Sequence, residues 1–469
     1  MERKRIYLCL AHMSEAGIEQ KYIKEAFDTN WVVPLGPNVN GFEKDLEEFV
    51  NSLTPSPSPV REGSIECGGD LNKRVVALSS GTAAVHLALL NCGVGPGDEV
   101  IVQSFTFCAS THPVTYLGAT PVLVDSEPDT WNIDPELLEE AIKDRKEKTG
   151  RYPKAIVPVA LYGMPYKADR IMEIANKYGI PMVEDAAEGL GSRYKGQVLG
   201  TFGKYGVLSF NGNKMITTSG GGALITANDD EWREIMMYAT QYRESYPYYQ
   251  HEKIGYNYRM SNICAGIGRG QMTIINEHLA HHKHVQALYE ELLANVPGIT
   301  VHSQPQVAPK GGDLEGASVY DSNYWLCTIT LDPDLKIKGQ EDAYKTIVTG
   351  AVGGAAGVIH AATSAHTECE PNANVEALRV FMDQAQIEAR PLWKPMHCQP
   401  VYRHGEVKSE KLKVNNGEVV CQTSASSVAY INGVSEALFK VGMCLPAGPY
   451  VTDEDVKYIV ETIKNAIVD

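Results

Sequence analysis

Lys214 lies in the stretch SFNGNKMITTSGGG, between small polar residues and a run of three glycines. Such a lysine could be a surface charge, a phosphate ligand or a covalent catalyst, because a buried amine of lowered pKa forms Schiff bases readily. The GxxxxGK[ST] spacing of a nucleoside triphosphate loop is missing here. The stretch also follows an apolar, strand-like segment at 205–210, which disfavours a surface charge. A covalent role for Lys214 is therefore the hypothesis that the rest of the chain must support.

Two adjacent acidic residues, Glu184 and Asp185, end another apolar segment, PMVEDA. Paired carboxylates are costly in a hydrophobic core and suited to holding a cationic ring nitrogen. Glu188 follows one helical turn later and is expected nearby. A pair of helix-capping acids is the alternative, and the residues alone leave both interpretations open.

Small residues and an aromatic ring complete the set of candidates. Gly81 and Thr82 belong to SSGTA (79–83), where backbone N–H groups at a helix start can bind phosphate, although an ordinary helix cap is the simpler interpretation. Ser209 could add a hydroxyl, and Phe107 could cover a planar ring or belong to the core. A phosphate cradle, an aromatic cover, a carboxylate and a Schiff-base lysine together predict a pyridoxal 5'-phosphate site.

The elements that must position these residues are short apolar segments that alternate with helical patterns. This alternation predicts an α/β fold with a mostly parallel, seven-stranded sheet that is covered on both faces. Each candidate follows a predicted strand, at the sheet edge where open α/β sheets bind ligands. The predicted strands are 74–78, 99–104, 120–125, 154–161, 181–186, 205–210 and 221–226.

A second region follows the predicted sheet. A long helical pattern at 262–293 leads to apolar strands near 323–331 and 386–393. We therefore expect a large domain at 1–275 and a smaller α+β domain at 276–469. Three segments have the composition of insertions rather than core, namely 52–70, 349–374 and 404–426, the last with an Asn-Gly pair that favours a hairpin.

Composition narrows the classes of partner. The 469 residues carry a formal charge of −16, which disfavours nucleic acid and anionic membranes as partners. No signal peptide or membrane span is expected. The ten cysteines form no CxxC pair, so we expect reduced thiols, a cytoplasmic location and no metal site. His278 and His282 in HLAHHKH could bind a metal, but a solvated helix face is the interpretation that we adopt.

Taken in order, SSGTAAVHLAL, SFTF, VEDAAEGLGS, SFNGNK and GYNYRMSNICAGIG resemble the DegT/DnrJ/EryC1/StrS family of nucleotide-sugar aminotransferases. The resemblance extends from about residue 13 to the C-terminus. It implies the fold of type I pyridoxal phosphate-dependent transferases, with a small C-terminal α+β domain. It also implies a homodimer whose subunits share active sites.

The resemblance assigns roles around the cofactor ring. Lys214 would be the Schiff-base lysine, Asp185 would pair with the pyridine nitrogen, and Phe107 would stack on the ring. Glu188, where many relatives carry Gln, would lie near the ring hydroxyl.

The resemblance also assigns phosphate and substrate contacts. Gly81, Thr82 and Ser209 would bind the phosphate, and Asn257 would reach the phosphate in the neighbouring subunit. The implied substrate contacts are Arg259, Trp393 and His397.

Several further motifs are similar to members that act on 4-keto-6-deoxy sugar nucleotides, of the UDP-N-acetylbacillosamine transaminase and GDP-perosamine synthase type. We therefore expect transfer of an amino group from L-glutamate to a C4 ketone. The alternatives are a 3-keto sugar aminotransferase and a non-catalytic regulatory relative. A sugar 3-dehydratase is disfavoured because those relatives replace the lysine by histidine. The motifs are at 30–43, 322–326, 388–402 and 442–449.

Overall fold

The computed structural model describes most of the chain as regular elements and turns. The described residues are 4–52, 72–306, 319–344, 369–402, 406–409 and 427–468. Most of the three predicted insertions lies outside these ranges, and so does the predicted hairpin at 416–417.

The first half of the chain contributes nine strands. They are β1 (Arg74–Leu78), β2 (Glu99–Gln103), β3 (Thr120–Val124), β4 (Ala155–Val157), β5 (Val183–Asp185), β6 (Arg193–Tyr194), β7 (Gln197–Val198), β8 (Tyr205–Ser209) and β9 (Gly222–Thr226). Seven of them lie side by side in the order β3, β2, β4, β5, β8, β9, β1, with parallel bridges joining β4 to β5. Among these seven, only β9 runs antiparallel to its neighbours. The predicted α/β fold with a mostly parallel sheet is therefore confirmed.

Both faces of this sheet are buried. Along β1, Val75 and Ala77 belong to one hydrophobic cluster, while Val76 and Leu78 belong to another. Because successive strand residues point to opposite faces, the apolar run needs helices on both sides. The helices of this region are α1 (Ile18–Asp28), α2 (Pro37–Asn51), α3 (Gly81–Asn91), α4 (His112–Tyr116), α5 (Pro135–Thr149), α6 (Ala168–Tyr178) and α7 (Asp229–Ala239).

The second half of the chain builds a smaller antiparallel sheet. Its order is β10, β12, β16, β13, and its core includes residues of α9, α10 and α12. The short strand β11 pairs instead with β6 of the first half. The elements are α8 (Asn262–Met272), α9 (Ile275–Leu293), β10 (Ile299–Val301), β11 (Tyr320–Asp321), β12 (Cys327–Leu331), α10 (Ala373–Gln384), β13 (Arg390–Pro391), β14 (Glu406–Ser409), β15 (Val428–Ile431), α11 (Val434–Val441), β16 (Gly442–Leu445) and α12 (Asp453–Ala466).

The helix predicted over 262–293 is two helices, with a break at Thr273 and Ile274. Three consecutive β-branched residues at this point disfavour helix, because their side chains crowd the preceding turn. Before the break, α8 packs closely against α1 and α2. A side chain at Gly270 would meet the Glu19 backbone at 2.7 Å, so only glycine permits this approach.

Two strands of the C-terminal half return to the large sheet. β15 pairs in parallel with β3, and β14 pairs in parallel with β15. The predicted boundary after residue 275 does not anticipate this return, because short strands carry no record of their pairing partner. The division into domains at 275 stays a prediction, with residues 406–409 and 428–431 extending the first sheet.

The predicted solvated histidine face of α9 is wrong. His278 and His282 are buried, and their Nδ1 atoms bond to the carbonyl oxygens of Met215 and Tyr324, each at 3.1 Å. Burial lowers the pKa of His282 to about 3, so this ring stays neutral. None of the helices in the described ranges has the length and apolar character that crossing a bilayer requires.

Gly206→Ala tests how tightly β8 is packed. The added methyl would come within 1.8 Å of the Gly200 carbonyl oxygen, so the backbone must shift. We expect a loss of at least about 1–3 kcal/mol of unfolding free energy, the usual cost of overpacking, measured by chemical denaturation. Gly95→Ala is the control, because nothing lies within 4 Å of its added carbon. Equal stability of the two variants would contradict the close approach of β8.

Candidate active site

A cavity of about 340 Å³ opens at the strand ends, as the sequence predicts. Its wall is formed by loops that follow β1, β2, β5 and β8. Its lining also includes residues without a predicted role, among them Ser110, Asn213 and Trp325. Eight predicted site residues line the cavity: Gly81, Thr82, Phe107, Asp185, Glu188, Ser209, Lys214 and Trp393.

The Lys214 amine lies deep in this cavity. Its Nζ is 3.3 Å from Glu188 Oε1 and 4.0 Å from the centre of the Trp325 ring. The Trp325 indole is itself fixed, since its Nε1 donates a 2.6 Å hydrogen bond to the Asn213 carbonyl. With only 13% of its side chain exposed, Lys214 is not a surface charge.

The Asp185 carboxyl is buried and reaches the cavity from the end of β5. Ser110 Oγ donates a 2.6 Å hydrogen bond to Oδ2, and the Ala187 N–H donates to Oδ1 at 3.1 Å. Burial raises the pKa of Asp185, while these hydrogen bonds and the Lys214 charge oppose the rise. A cation bound against Asp185 would offset the cost of burying its charge, so the site fits a protonated ring nitrogen.

Glu184 does not share the role of Asp185, although the two are adjacent. Its side chain takes the opposite face of β5, where Oε2 accepts a 3.1 Å hydrogen bond from the Phe202 N–H. Burial raises the pKa of Glu184 to about 7. The alternation of side chains along a strand thus separates the two carboxyls and assigns only Asp185 to the cavity.

The start of α3 forms a cradle of small groups beside Ser209. Ser80 caps the helix, since its Oγ accepts a 3.1 Å hydrogen bond from the Ala83 N–H. A side chain at Gly81 would lie 3.1 Å from the Ser209 Cβ, and one at Gly222 would lie 2.3 Å from the Gly81 nitrogen. Glycine at both positions lets backbone N–H groups face a small anion, as a phosphate at a helix N-terminus requires.

Aromatic side chains form the mouth of the cavity. Phe107 is 52% exposed, which excludes the core role, and its ring centre lies 5.8 Å from that of Trp393. The Trp393 N–H donates a 2.7 Å hydrogen bond to Tyr162 Oη. The Tyr162 N–H in turn donates to Glu188 Oε2 at 2.7 Å. Sequence reasoning missed Tyr162, although it follows the predicted strand 154–161 and the rule of strand ends could have found it.

Three predicted site residues do not line the cavity of their own chain. The Arg259 guanidinium is engaged with Glu43 and with the Ala77 carbonyl of its own chain, and its predicted contact with the substrate stays a prediction. Asn257 is exposed and bridges to Thr240. Its predicted contact in a neighbouring subunit stays a prediction.

His397 lies behind the cavity wall rather than in it. Its Nδ1 is 2.7 Å from Ser104 Oγ, on the loop that leads to Phe107. Burial lowers the pKa of His397. In this structure His397 contacts the wall, and its predicted direct contact with the sugar nucleotide stays a prediction.

A model of the DegT/DnrJ/EryC1/StrS aminotransferase family matches residues 69–333. The chain belongs to this family. The chain is 38% identical to EpsN of Bacillus subtilis (strain 168), over 98% of this chain and 95% of EpsN. The name of EpsN describes it, provisionally, as a pyridoxal phosphate-dependent aminotransferase. It is 32% identical to the GDP-perosamine synthase of Caulobacter vibrioides, over 96% of each protein.

The fold agrees with solved members of the family. A DegT DnrJ EryC1 StrS aminotransferase from Brucella abortus superposes with a TM-score of 0.71 at 24% identity, over 96% of this chain and 95% of that one. The predicted family, fold and enzyme class, a pyridoxal phosphate-dependent sugar aminotransferase, are therefore confirmed. The buried Asp185, the Lys214 amine and the small-residue cradle at Gly81 fit such a cofactor.

Ser110→Ala tests the hydrogen bond that stabilises the Asp185 carboxylate. Without this donor the pKa of Asp185 rises further. As the pH is lowered, the carboxyl is then protonated, and activity lost, at a higher pH than in the natural protein. We expect the acid limb of the rate profile with an amino donor such as L-glutamate to shift upward by about one unit, the equivalent of one hydrogen bond to a charged group.

The matched control is Ser303→Ala. Ser303 also donates a 2.6 Å hydrogen bond to a carboxylate, that of Glu290, outside the cavity. A shift of similar size in the control, or an unchanged acid limb in Ser110→Ala, would contradict the role of Ser110.

Proposed function

We propose that the enzyme transfers the amino group of L-glutamate to the C4 ketone of a 4-keto-6-deoxy nucleotide sugar, with pyridoxal 5'-phosphate as its cofactor. The observation that carries this proposal is the pairing of an amine and a buried carboxyl, Lys214 and Asp185, in the same cavity at the strand ends. Amino transfer with this cofactor needs both groups. The amine moves protons, and the carboxylate stabilises the protonated ring nitrogen.

The residues that would hold the cofactor come from four loops. Gly81, Thr82 and Ser209 would bind its phosphate, Asp185 its ring nitrogen, and Phe107 would cover its face. When bound, the cofactor accepts the electron pair of the donor's Cα–H bond and carries the amino group between the two substrates.

Lys214 would move the protons of both half-reactions. Its Nζ would take the proton that leaves the donor's Cα and later return a proton, first as a base and then as an acid. Glu188, 3.3 Å away, holds the amine inside the cavity, and Trp325 covers it. Restricting the amine in this way keeps it within reach of the reacting carbon and limits contact with water.

The substrate proposal is supported by a second hollow at the mouth. This hollow of about 470 Å³ shares Thr106, Phe107 and Trp393 with the inner cavity, and Lys394 and Gln399 also line it. Exposed aromatic faces suit a nucleobase or sugar ring, and a lysine suits a diphosphate. The full-length similarity to a GDP-perosamine synthase supports the same substrate class.

We also propose a homodimer in the cytoplasm. Support comes from a group of exposed apolar side chains in the N-terminal region and from Asn257, which is exposed and outside its own cavity. Such groups are typical of interfaces between subunits. The exposed apolar residues are Phe27, Trp31, Val32, Val33 and Leu35.

A screen of nucleotide sugars tests the proposed reaction. The purified protein with pyridoxal phosphate and L-glutamate is offered UDP-, GDP- and dTDP-linked 4-keto-6-deoxy sugars and their 3-keto counterparts. We expect a 4-amino product by mass spectrometry from at least one 4-keto sugar. Lys214→Ala should abolish turnover, while Lys177→Ala, a surface lysine paired with Glu139, should retain it.

The outcomes separate the alternatives. A product only from 3-keto sugars would replace the regiochemistry and keep the mechanism. No amino transfer from glutamate to any sugar would favour a regulatory protein. Turnover by Lys214→Ala would remove the lysine from its proposed role.

Mixed dimers test whether Asn257 completes the neighbouring site. Lys214→Ala chains, expected to be inactive alone, and Asn257→Ala chains, expected to be weakly active alone, are co-expressed with different tags and the mixed dimer is purified. If Asn257 acts across the interface, one site of that dimer has both residues and activity returns. If it acts within its own chain, every site lacks one of them and the mixed dimer is no more active than the Asn257→Ala parent.

A further inference from the structure

A second group of chemically competent side chains lies behind the cavity wall. A ring nitrogen of His397, the sulfur of Cys398 and a carboxylate oxygen of Glu436 are all within 4.8 Å of one another. His397 and Cys398 form part of a short 3-10 helix at Met396–Cys398, and Glu436 lies in the first turn of α11. None of these three residues lines the cavity or the outer hollow.

A second sulfur adjoins this group. The Cys369 thiol is in hydrogen-bond contact with the Cys398 thiol, and both side chains are buried beside Phe439. Both sulfurs are present as thiols rather than as a disulfide. The imidazole, the Cys398 sulfur and the partly buried Glu436 carboxylate thus form the group, and the Cys369 sulfur adjoins it through Cys398. No short spacing pattern in the sequence indicates such a set.

His397 is held in the way that a metal ligand requires. Its Nδ1 bonds to Ser104 Oγ at 2.7 Å, which fixes the orientation of the ring. Its Nε2 is buried and has no hydrogen-bond partner among the described residues. A ligating histidine commonly has one nitrogen on a fixed hydrogen-bond partner and the other on the ion. A buried ring nitrogen without a partner has lost its hydrogen bond to water and gained none in return, which an ion at this position would correct.

The charges of the group suit a divalent cation. Two thiolates and the Glu436 carboxylate would carry three negative charges, against two on the cation and one on Lys440, whose Nζ is 2.7 Å from Glu436 Oε1. Binding would release the two thiol protons to solvent. Thiolate and imidazole ligands in a four-coordinate set select zinc over magnesium or calcium.

We propose that His397, Cys398 and Glu436, with Cys369 as the fourth ligand, bind a structural zinc ion. The site would clamp two parts of the mouth together. The Met396 N–H donates a 2.7 Å hydrogen bond to the Ser104 carbonyl, and His397 holds the Ser104 hydroxyl. The segment with Trp393 is thereby fixed against the loop with Phe107, so the ion would be a positioning element for the substrate hollow and not a participant in the chemistry.

Metal analysis of the full-length protein tests this site. Tag-free protein is incubated with Zn²⁺, freed of unbound ion by gel filtration and analysed by mass spectrometry of the elements. We expect about one zinc per chain in the natural protein, and at least a tenfold loss of zinc affinity in Cys398→Ser and in Cys369→Ser. Cys92→Ser, which removes a partly buried thiol elsewhere, is the control and should retain the ion.

Cobalt provides a readout that does not depend on variants. Co²⁺ bound to thiolates in a tetrahedral site gives sulfur-to-metal charge-transfer and strong visible bands, which we expect in the natural protein. Zinc below a tenth of the chain concentration together with no cobalt bands would overturn the proposal. So would full zinc content in a folded Cys398→Ser variant. A Cys369–Cys398 disulfide in peptide maps, with no metal uptake after reduction, would identify the pair as a redox couple instead.

Discussion

The amine of Lys214 and the carboxyls of Asp185 and Glu188 are buried at the same end of the sheet, and much of the site follows from stabilising them there. A buried charge is tolerated only when it is paired and hydrogen-bonded. Glu188 is held by Lys214 and by the Tyr162 N–H, and Asp185 by Ser110 and Ala187. These contacts do not fully offset the cost of burying two charges, so the pKa of both carboxyls is raised. A further cation beside either carboxyl would stabilise its ionised form.

The supports of these charges come from both halves of the chain. Tyr162 has a left-handed backbone, with φ of 54°, which aims its N–H at Glu188 while its hydroxyl accepts from Trp393. A non-glycine residue in this conformation is strained, and such strain is typical of functional sites. Asn323, from the C-terminal half, donates to the carbonyls of Glu188 and Leu190, each at 2.9 Å. The C-terminal half is thus joined to the loop after β5 that carries Glu188.

The sequence pattern was sufficient for those residues of the cavity whose position depends only on the end of a strand. Lys214, Asp185 and Gly81 follow strands whose apolar runs are legible, so their convergence needs only the rule for parallel sheets. Long-range pairing is what the pattern lacks. The sequence pattern gave no sign that Arg259 pairs with Glu43, which is far away in the sequence. The pattern likewise placed His278 on a solvated face, because it does not show the hydrogen bond to the Met215 carbonyl. The position of β15 in the large sheet also depends on its pairing with β3, which the sequence pattern does not show.

The inner cavity by itself does not distinguish a C3 from a C4 ketone. In the proposed mechanism Lys214 and Asp185 would act on whichever carbon is presented to them, because proton transfer and ring protonation are common to both reactions. The choice must come from groups that set how far the sugar ring enters and how it is rotated. Among the described residues, Phe107 and Trp393 at the mouth and Lys394 in the outer hollow are the ones that we propose for this role. The Ser104 contacts join the segment with Trp393 to the loop with Phe107, so in this proposal the wall that holds His397 would also contribute to specificity.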